Sequence, residues 1–293
     1  MKRTKIIVCC HKNDVMAKQH PYLPVQVGKA ISVTDLGIQS DNEGENISYK
    51  NPCYCELTGI YWAWKNLKDV DVVGLCHYRR YFDFHNQTIP YMPHTAYRTI
   101  DFENVNLTIP NEVIEDLSSG KIYLAKPRIY NCSLYVDYCV EHISDDIRVL
   151  ERYFFEQLDK NYQDAYYRVM HCNNKLSHYN MFVMTWHDFD AYCSWLFPIL
   201  EEMEKQIDIN HYSSTQGRIF GYMAERLLNI WVEAKKMQVR YLPILWFSDY
   251  EANQTNPSQF RLFFRQMKAN LAARLTIPPS MAKWLKNKPY NVK

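Results

Sequence analysis

Short apolar runs alternate with helical patterns along most of this chain, and this alternation is the feature that most constrains the fold. Runs of strand length lie at 5–10, 71–76, 121–125 and 179–185. Stretches whose apolar residues recur every three or four positions lie between and after them, at 135–158, 187–206 and 216–236. Strands that alternate with helices of this length predict an α/β protein, with a central sheet between layers of helices.

Local composition predicts further boundaries within this pattern. A second strand is predicted at 25–33 and a last strand at 239–245. A helix is predicted from Asn51 to Asn66, because its apolar residues recur at helical spacing. The segment 83–110 contains three Pro and many polar residues, so it is predicted to be a long loop.

The composition excludes several common kinds of ligand site. The 293 residues include only 8 Gly, and neither G-x-G-x-x-G nor G-x-x-x-x-G-K occurs, so dinucleotide-binding and P-loop proteins lack their signature here. The formal net charge is only +2, and we expect no nucleic-acid partner. An odd count of nine Cys, together with the lack of a signal-peptide pattern, favours a reducing cytoplasm.

A basic tetrad, His77-Tyr78-Arg79-Arg80, directly follows the most apolar strand. Ligands of an open α/β sheet bind at the carboxyl ends of its strands, and two arginines there can hold a diphosphate through bidentate, charge-assisted bonds. We therefore expect Arg79 and Arg80 to bind a donor substrate through its diphosphate, and His77 to take part in catalysis. The alternative is a surface arginine pair that is bonded to nearby carboxylates.

Two further segments are candidates for donor binding. His11 and Lys12 follow the first predicted strand, where either side chain could meet a base or a phosphate. Asp41, Asn46 and Ser48 lie in or next to a polar loop. They could bond a base or a ribose, or they could cap a turn and a helix, and the sequence leaves both interpretations open.

Glu225 lies within an apolar helical pattern, where an acidic residue needs a partner or a cleft. A carboxylate that faces a cleft could remove the proton from an acceptor hydroxyl, so Glu225 is a candidate catalytic base. The alternative is a structural pair with Arg218, seven residues earlier. Asp188, Asp190 and Glu56 are other candidate bases, and each could equally be a cap or an exposed charge.

The remaining site predictions concern the acceptor and metal ions. Three residues are candidate contacts of the acceptor sugar: Tyr78, Asn180 and Arg218. Many nucleotide-sugar transferases hold a divalent cation with an Asp-x-Asp pair after a central strand. Here Asp69 and Asp71 precede that strand and cations follow it, whereas Asp188 and Asp190 begin a helix. We therefore predict no metal ligands and no required cofactor, and the sequence leaves a divalent Mn or Mg ion open as the alternative.

Longer motifs of the chain resemble a known family. They lie at 41–48 (DNxGxNIS), 54–66 (YCELTxxYWxWKN), 73–82 (VGLCHYRRYF), 179–184 (YNMFVM) and 221–227 (GYMAERL). Over about residues 5 to 245, they resemble a family of capsular polysaccharide and exopolysaccharide biosynthesis proteins. The resemblance implies a glycosyltransferase with a GT-A-like nucleotide-sugar-binding α/β fold, in which helices flank a central mixed, mostly parallel sheet. Through some members, it also implies galactose or galactofuranose transfer from a UDP sugar.

The predicted function is therefore transfer of a hexose from a UDP-sugar to a lipid-diphosphate-linked saccharide in capsular or exopolysaccharide synthesis. One activated hydroxyl would displace UDP directly, with inversion at the sugar. The alternative is a non-catalytic saccharide-binding or scaffold protein of polysaccharide assembly, since no Asp-x-Asp occupies the usual place. A nucleic-acid-binding protein ranks last, because no reader motif is present.

The composition changes after Glu251. The segment 252–293 contains eight Lys and Arg and no acidic residue, so we divide the chain into a transferase domain at 1–250 and a basic amphipathic segment at 251–293. Such a segment suits an anionic bilayer surface, and we expect peripheral binding at the inner face of the cell membrane. The alternative is that its apolar residues pack on the main domain, among them Phe263, Met267, Leu271 and Leu275.

Overall fold

A mixed, ten-stranded sheet with apolar clusters on both faces organises the fold. It belongs to a computed structural model that describes residues 3–88, 92–252 and 259–276. The strands are β1 (Thr4–Cys10), β2 (Tyr22–Gln26), β3 (Gln39–Ser40), β4 (Val72–His77), β5 (Arg80–Phe82), β6 (His94–Tyr97), β7 (Lys121–Ala125), β8 (Arg128–Ile129), β9 (Lys175–Leu176), β10 (Phe182–Thr185), β11 (Gln238–Leu242) and β12 (Ile244–Phe247).

The helices follow the strands in the order that the sequence pattern predicts for most of the chain. They are α1 (Asn51–Tyr54), α2 (Leu57–Asn66), α3 (Asn111–Ser118), α4 (Leu134–Glu141), α5 (Ser144–Gln157), α6 (Lys160–Tyr166), α7 (Trp186–Gln206), α8 (Ile219–Lys235), α9 (Asp249–Ala252) and α10 (Gln259–Thr276). The helical stretch predicted at 135–158 is divided into α4 and α5, and α6 was not predicted.

β4 lies at the centre of the main strand path, whose order is β11-β7-β10-β4-β1-β2-β3. β1 pairs with β4 in parallel and places Cys9 beside His77, whereas β10 pairs with β4 antiparallel and places Phe182 beside Leu75. Parallel pairing predominates along this path. The predicted α/β fold with a mixed, mostly parallel sheet is therefore confirmed.

The inner strands are buried on both faces. In β1, Ile7 and Cys9 belong to one apolar cluster, which includes residues of α2, α7 and α8. Ile6, Val8 and Cys10 belong to the cluster on the opposite face, with residues of α3, β5 and β12. Strands covered on both faces need apolar side chains at nearly every position, which explains why continuous apolar runs identified β1, β4 and β7 in the sequence.

The second strand lies earlier than predicted, because the strand prediction at 25–33 missed a turn. β2 ends at Gln26, and Gly28 has a left-handed φ of 70° before a 3-10 turn at Lys29–Ile31. The Asp41 carboxylate accepts hydrogen bonds from the backbone nitrogens of Gly28 at 2.8 Å and Lys29 at 3.1 Å. These bonds hold the chain in a turn at the end of β2.

Three other predicted boundaries also differ from the structure. The loop predicted at 83–110 contains β6 and a 3-10 segment (Thr99–Asn104), because β6 pairs with β12 from a distant part of the sequence. The last strand predicted at 239–245 is two strands that are divided at Pro243, which has no N–H for the ladder. The helix predicted from Asn51 to Asn66 is interrupted at Cys55, where φ is 52°.

The C-terminal segment is described in part, as α10. Four of its predicted cations lie outside the described residues: Lys283, Lys286, Lys288 and Lys293. The division of the chain at residue 250 stays a prediction. Among the residues that the structure describes, we find no helix whose length and hydropathy would let it cross a bilayer.

Candidate active site

A cavity of about 1120 Å³ opens at the edge of the sheet where β1 and β4 end. These two strands are parallel and finish side by side, and β10 starts at the same edge because it runs antiparallel to β4. Residues that are distant in the sequence therefore meet, and His11, His77 and Tyr179 all line the cavity. Residues of α4 and α8 complete the wall. The volume is sufficient for a ligand of nucleotide size.

Two arginines of the cavity are arranged around one tyrosine ring. The guanidinium carbon of Arg80 lies 4.6 Å from the ring centroid of Tyr179 and 5.0 Å from that of Trp246. The guanidinium of Arg128 lies 5.3 Å from the Tyr179 centroid, and its Nη2 donates to the Tyr179 hydroxyl. Among the described residues, the buried Nε of Arg80 has no hydrogen-bond partner. Guanidinium groups that are held beside aromatic rings in this way are well placed to bind an anion.

Arg79 and Lys12 lie outside the cavity lining, unlike Arg80. Nη2 of Arg79 is 2.5 Å from Oδ2 of Asp14, and Nζ of Lys12 is 3.9 Å from the same oxygen. For Arg79 this is the alternative that the sequence left open, an arginine bonded to a nearby carboxylate. The predicted role of Arg79 and Lys12 in donor binding stays a prediction, and the structure favours Arg80 for that role.

The histidines of the predicted site lie on the same wall. Nε2 of His77 is 2.8 Å from the carbonyl oxygen of Tyr179, which can only accept, so Nε2 carries the proton. Burial, and then the charge of Arg80, lower the pKa of His77 to about 4, which makes it a weak base at neutral pH. His11 meets Tyr78 edge to face, with ring centroids 5.2 Å apart. A catalytic role for His77 stays a prediction.

Glu225 lines the cavity, but partners engage both of its carboxylate oxygens. Oε1 accepts from the backbone nitrogen of Tyr179 at 2.7 Å, and Oε2 lies 3.2 Å from Nδ1 of His178 and 3.3 Å from Nη1 of Arg226. Burial opposes the charge, but these partners outweigh it and lower the pKa of Glu225 to about 2. Such a weak base matches proton abstraction at neutral pH poorly. The contacts favour a positioning role for Glu225, which holds His178 and Tyr179.

Arg218, the alternative partner that the sequence suggested for Glu225, has other contacts. Its Nε donates to Sγ of Cys55 at 3.3 Å, and its guanidinium lies 5.6 Å from the ring centroid of Tyr222. Arg218 and Tyr222 both line the cavity, as Tyr78 does. Two of the three predicted acceptor contacts, Tyr78 and Arg218, are therefore placed where they can meet a ligand.

Glu56 is the cavity carboxyl best suited to exchange a proton near neutral pH. Its Oε1 accepts from Nδ2 of Asn180 at 2.7 Å, and Asn180 is itself buried. Burial is the main cause that raises the pKa of Glu56 to about 7, against the lowering effect of the Asn180 bond. A base poised at the operating pH is the most efficient kind. The geometry thus favours Glu56, one of the other bases considered from the sequence, over Glu225.

The polar loop at 41–48 lies outside the cavity lining, and its side chains bond to one another and to nearby backbone. Ser48 Oγ donates to Asp41 and accepts from the backbone nitrogen of Ala30 at 3.0 Å. Nδ2 of Asn46 donates to the carbonyl of Gly44 at 2.8 Å. These contacts favour the turn-capping interpretation of Asp41, Asn46 and Ser48, and their predicted contact with a donor stays a prediction.

The remaining candidate carboxylates belong to α7. The hydroxyl of Thr185 donates to Oδ2 of Asp188 at 2.7 Å at the start of this helix, and Oδ1 of Asp190 accepts from Nε1 of Trp64 at 2.7 Å. Both side chains thus have structural contacts, in agreement with the helix start predicted there. Within the described ranges, no group of three or more His, Cys, Asp or Glu is placed to hold a metal ion.

The cavity residues that were missed from the sequence include Arg128, Tyr130 and His178. Arg128 follows the end of β7 by three residues, so the strand-end rule that identified Arg80 could have found it. The other two had no comparable signal. Nε2 of His178 contacts the Tyr130 hydroxyl only because the chain between these two residues folds back on itself. The next residue, Tyr179, has a left-handed φ of 70°.

Comparison with solved structures places this fold. The apo structure of WbbM, described as a bifunctional glycosyltransferase, is similar to this chain with a TM-score of 0.75 and 31% sequence identity. The similarity covers 84% of this chain but only 45% of that protein, so the matched region spans less than half the length of WbbM. The sheet and its helices therefore form a glycosyltransferase-like α/β fold.

The chain belongs to the family described as Domain of unknown function (DUF4422), which matches residues 5–236. Among curated protein sequences, no significant match is found. The resemblance deduced from the sequence motifs is confirmed at the level of a family with a glycosyltransferase-like fold. The connection with capsular polysaccharide or exopolysaccharide stays a prediction.

Proposed function

We propose that the chain transfers a sugar from a nucleoside-diphosphate donor to a saccharide acceptor. The observation that carries the proposal is a pair of arginines in one cavity that also holds the Glu56 carboxyl. Arg80 and Arg128 each lie three residues after the end of a strand, β4 and β7. A nucleoside diphosphate gains negative charge as it leaves the sugar. Fixed guanidinium groups that meet this charge stabilise the transition state without reorganisation.

The acceptor hydroxyl needs a base, and Glu56 fits that role. In its ionised form, Glu56 takes the proton of the hydroxyl while the oxygen attacks the anomeric carbon. The bond from that carbon to the diphosphate breaks, and the nucleoside diphosphate leaves with the electron pair, beside Arg80 and Arg128. One displacement of this kind inverts the configuration at the anomeric carbon. Glu225 would hold His178 and Tyr179 in place.

A UDP-hexose is the proposed donor, with galactose or galactofuranose favoured by the motif resemblance. The proposed acceptor is a saccharide linked to a lipid diphosphate. Tyr78 and Arg218 line the cavity and are the proposed sugar contacts, while the stacked rings of His142 and Tyr222 add an apolar surface on which a sugar face can lie. Ring centroids of the latter pair are 4.2 Å apart.

The full chain is expected to release UDP from UDP-galactose or UDP-galactofuranose when a diphospholipid-linked saccharide is present. A screen of UDP, GDP, CMP and dTDP sugars by melting temperature should select the donor first. A donor at 100 times its Kd stabilises the folded chain by about 2.7 kcal/mol. Donor binding without UDP release or glycosylated product, across the acceptors tried, would replace this proposal with the non-catalytic saccharide-binding alternative.

Transfer is also expected to continue after exhaustive chelation of divalent cations. The physical reason is that Arg80 and Arg128 already supply positive charge in the cavity, where other transferases use a metal ion. UDP release should be measured before and after treatment with a chelator, with the same chain dialysed against buffer as the control. Activity that disappears and then returns with manganese or magnesium would contradict this expectation.

A further inference from the structure

Helix α10 presents an apolar surface to solvent while its opposite side packs on the protein. Leu262, Ala269 and Ala273 are buried, with Ala269 only 5% exposed. By contrast, Phe264 is 48% exposed and Leu271 is 60% exposed. The sequence had left open that Phe263, Met267, Leu271 and Leu275 pack on the main domain, but all four are exposed. That alternative is wrong for α10, because the small side chains and Leu262 make the contact instead.

The exposed apolar residues form one continuous stripe. We call this set the apolar stripe: Phe260, Phe263, Phe264, Met267, Leu271 and Leu275. Their spacing of three and four residues places them on one face of an α-helix, within about a third of its circumference. The buried residues occupy the opposite face, so the contact with the protein holds the stripe outwards. Phe260 and Phe264 touch each other, with ring centroids 4.5 Å apart.

The charged side chains of α10 are all of one sign. Arg265, Lys268 and Arg274 are exposed on α10, and the sequence contains no acidic residue between 252 and 293. A protein partner of ordinary composition gives no reason for this bias. An anionic bilayer does, because its headgroups attract cations while its acyl boundary takes up apolar side chains.

We propose that the apolar stripe of α10 docks the protein on the surface of an anionic lipid bilayer, with α10 parallel to the membrane plane. α10 packs near β8, and Arg128 of β8 lines the cavity. Docking therefore brings that side of the cavity close to the membrane. If the proposed function also holds, a lipid-linked acceptor would reach the cavity from this side, but docking itself does not rest on the proposed function.

The test is co-sedimentation of the full chain with vesicles, which requires no activity. Vesicles of phosphatidylcholine alone are compared with an equimolar mixture of phosphatidylcholine and phosphatidylglycerol. The chain should pellet with the mixed vesicles at low salt. The double variant Phe264→Glu/Leu271→Glu should lower the partition coefficient by about tenfold or more, because it removes apolar contacts and adds repelled charges. The variant Lys268→Gln/Arg274→Gln should weaken binding to mixed vesicles only.

Ile100→Glu is the matched control, since Ile100 is an exposed apolar residue distant in sequence from α10. It should bind vesicles as the parent does, and circular dichroism should show equal helix content in all variants. Equal pelleting of the parent and Phe264→Glu/Leu271→Glu would overturn the proposal. So would light scattering that shows a dimer of the parent and a monomer of the double variant, since the stripe would then bind a second copy of the chain.

Discussion

Replacement of Arg80 by alanine is expected to lower kcat/KM for the nucleotide-sugar donor by about 100- to 1000-fold, the usual effect of removing one preorganised group that stabilises developing charge. Arg80 is held between Tyr179 and Trp246, so its position is fixed before a ligand arrives. The measurement is steady-state UDP release over a range of donor concentrations, with the melting temperature of the variant recorded alongside.

Two further variants test whether the guanidinium geometry of Arg80 matters beyond its charge, and whether the effect is specific to Arg80 rather than its neighbour. Arg80→Lys keeps the charge but loses the planar, bidentate geometry, so it should recover only part of the lost rate. Arg79→Ala is the neighbouring control, because Arg79 is paired with Asp14 outside the cavity lining. A larger loss for Arg79→Ala than for Arg80→Ala would move the diphosphate site away from the cavity.

Glu56→Gln is expected to lower kcat by about 100- to 10,000-fold, the range that general base catalysis supplies, with little change in donor binding. The base works only when ionised, so kcat of the parent should rise with pH and level off above about 7, the raised pKa of Glu56. The variant should lose this rise. Persistence of the same pH profile in Glu56→Gln would assign the base to another group.

Stability distinguishes Glu56 from Glu225. Between pH 4.5, the ordinary pKa of Glu, and about 7, the raised pKa of Glu56, this residue keeps its proton in the folded protein but loses it in the unfolded chain. The free energy of unfolding therefore falls as pH rises through this window. Glu56→Gln should therefore not destabilise the protein at pH 8. Glu225 has the opposite shift, and its contribution is present above pH 4.5 and lost toward pH 2. Glu225→Gln should cost on the order of 3 kcal/mol at neutral pH, since Arg226 loses a buried partner.

The sequence predicts the inner part of the fold well, because burial on both faces leaves a continuous apolar run. β1, β4 and β7 were found in this way, whereas α7 was found from apolar residues that recur at helical spacing. β6 was missed because its partner, β12, lies about half the chain away and local composition contains no trace of that pairing. The end of β2 was misplaced for a related reason, since the carboxylate of Asp41 turns the chain at Gly28.

The sequence predicted residues of the candidate site that lie at or just after the end of a strand and have polar side chains, such as His77 and Arg80. Sequence position does not reveal which of two neighbouring arginines contacts a carboxylate. In the structure it is Arg79, which pairs with Asp14. The two glutamates show the same limit. Both are acidic residues in apolar surroundings, but the partners of Glu225 favour its charge, whereas burial of Glu56 disfavours it.

Because β10 lies antiparallel to β4, the residues that could contact a ligand are different from the residues that stabilise the sheet. The segments around His11, His77 and Tyr179 reach the cavity at one edge, while the side chains that set strand register lie beneath it in the two apolar clusters. Side chains such as His142 and Tyr222 can therefore vary without disturbing any ladder. Chains with this sheet are thus free to diverge in the ligands they accept, and exchanging a few rim side chains between them is a practical route to altered specificity.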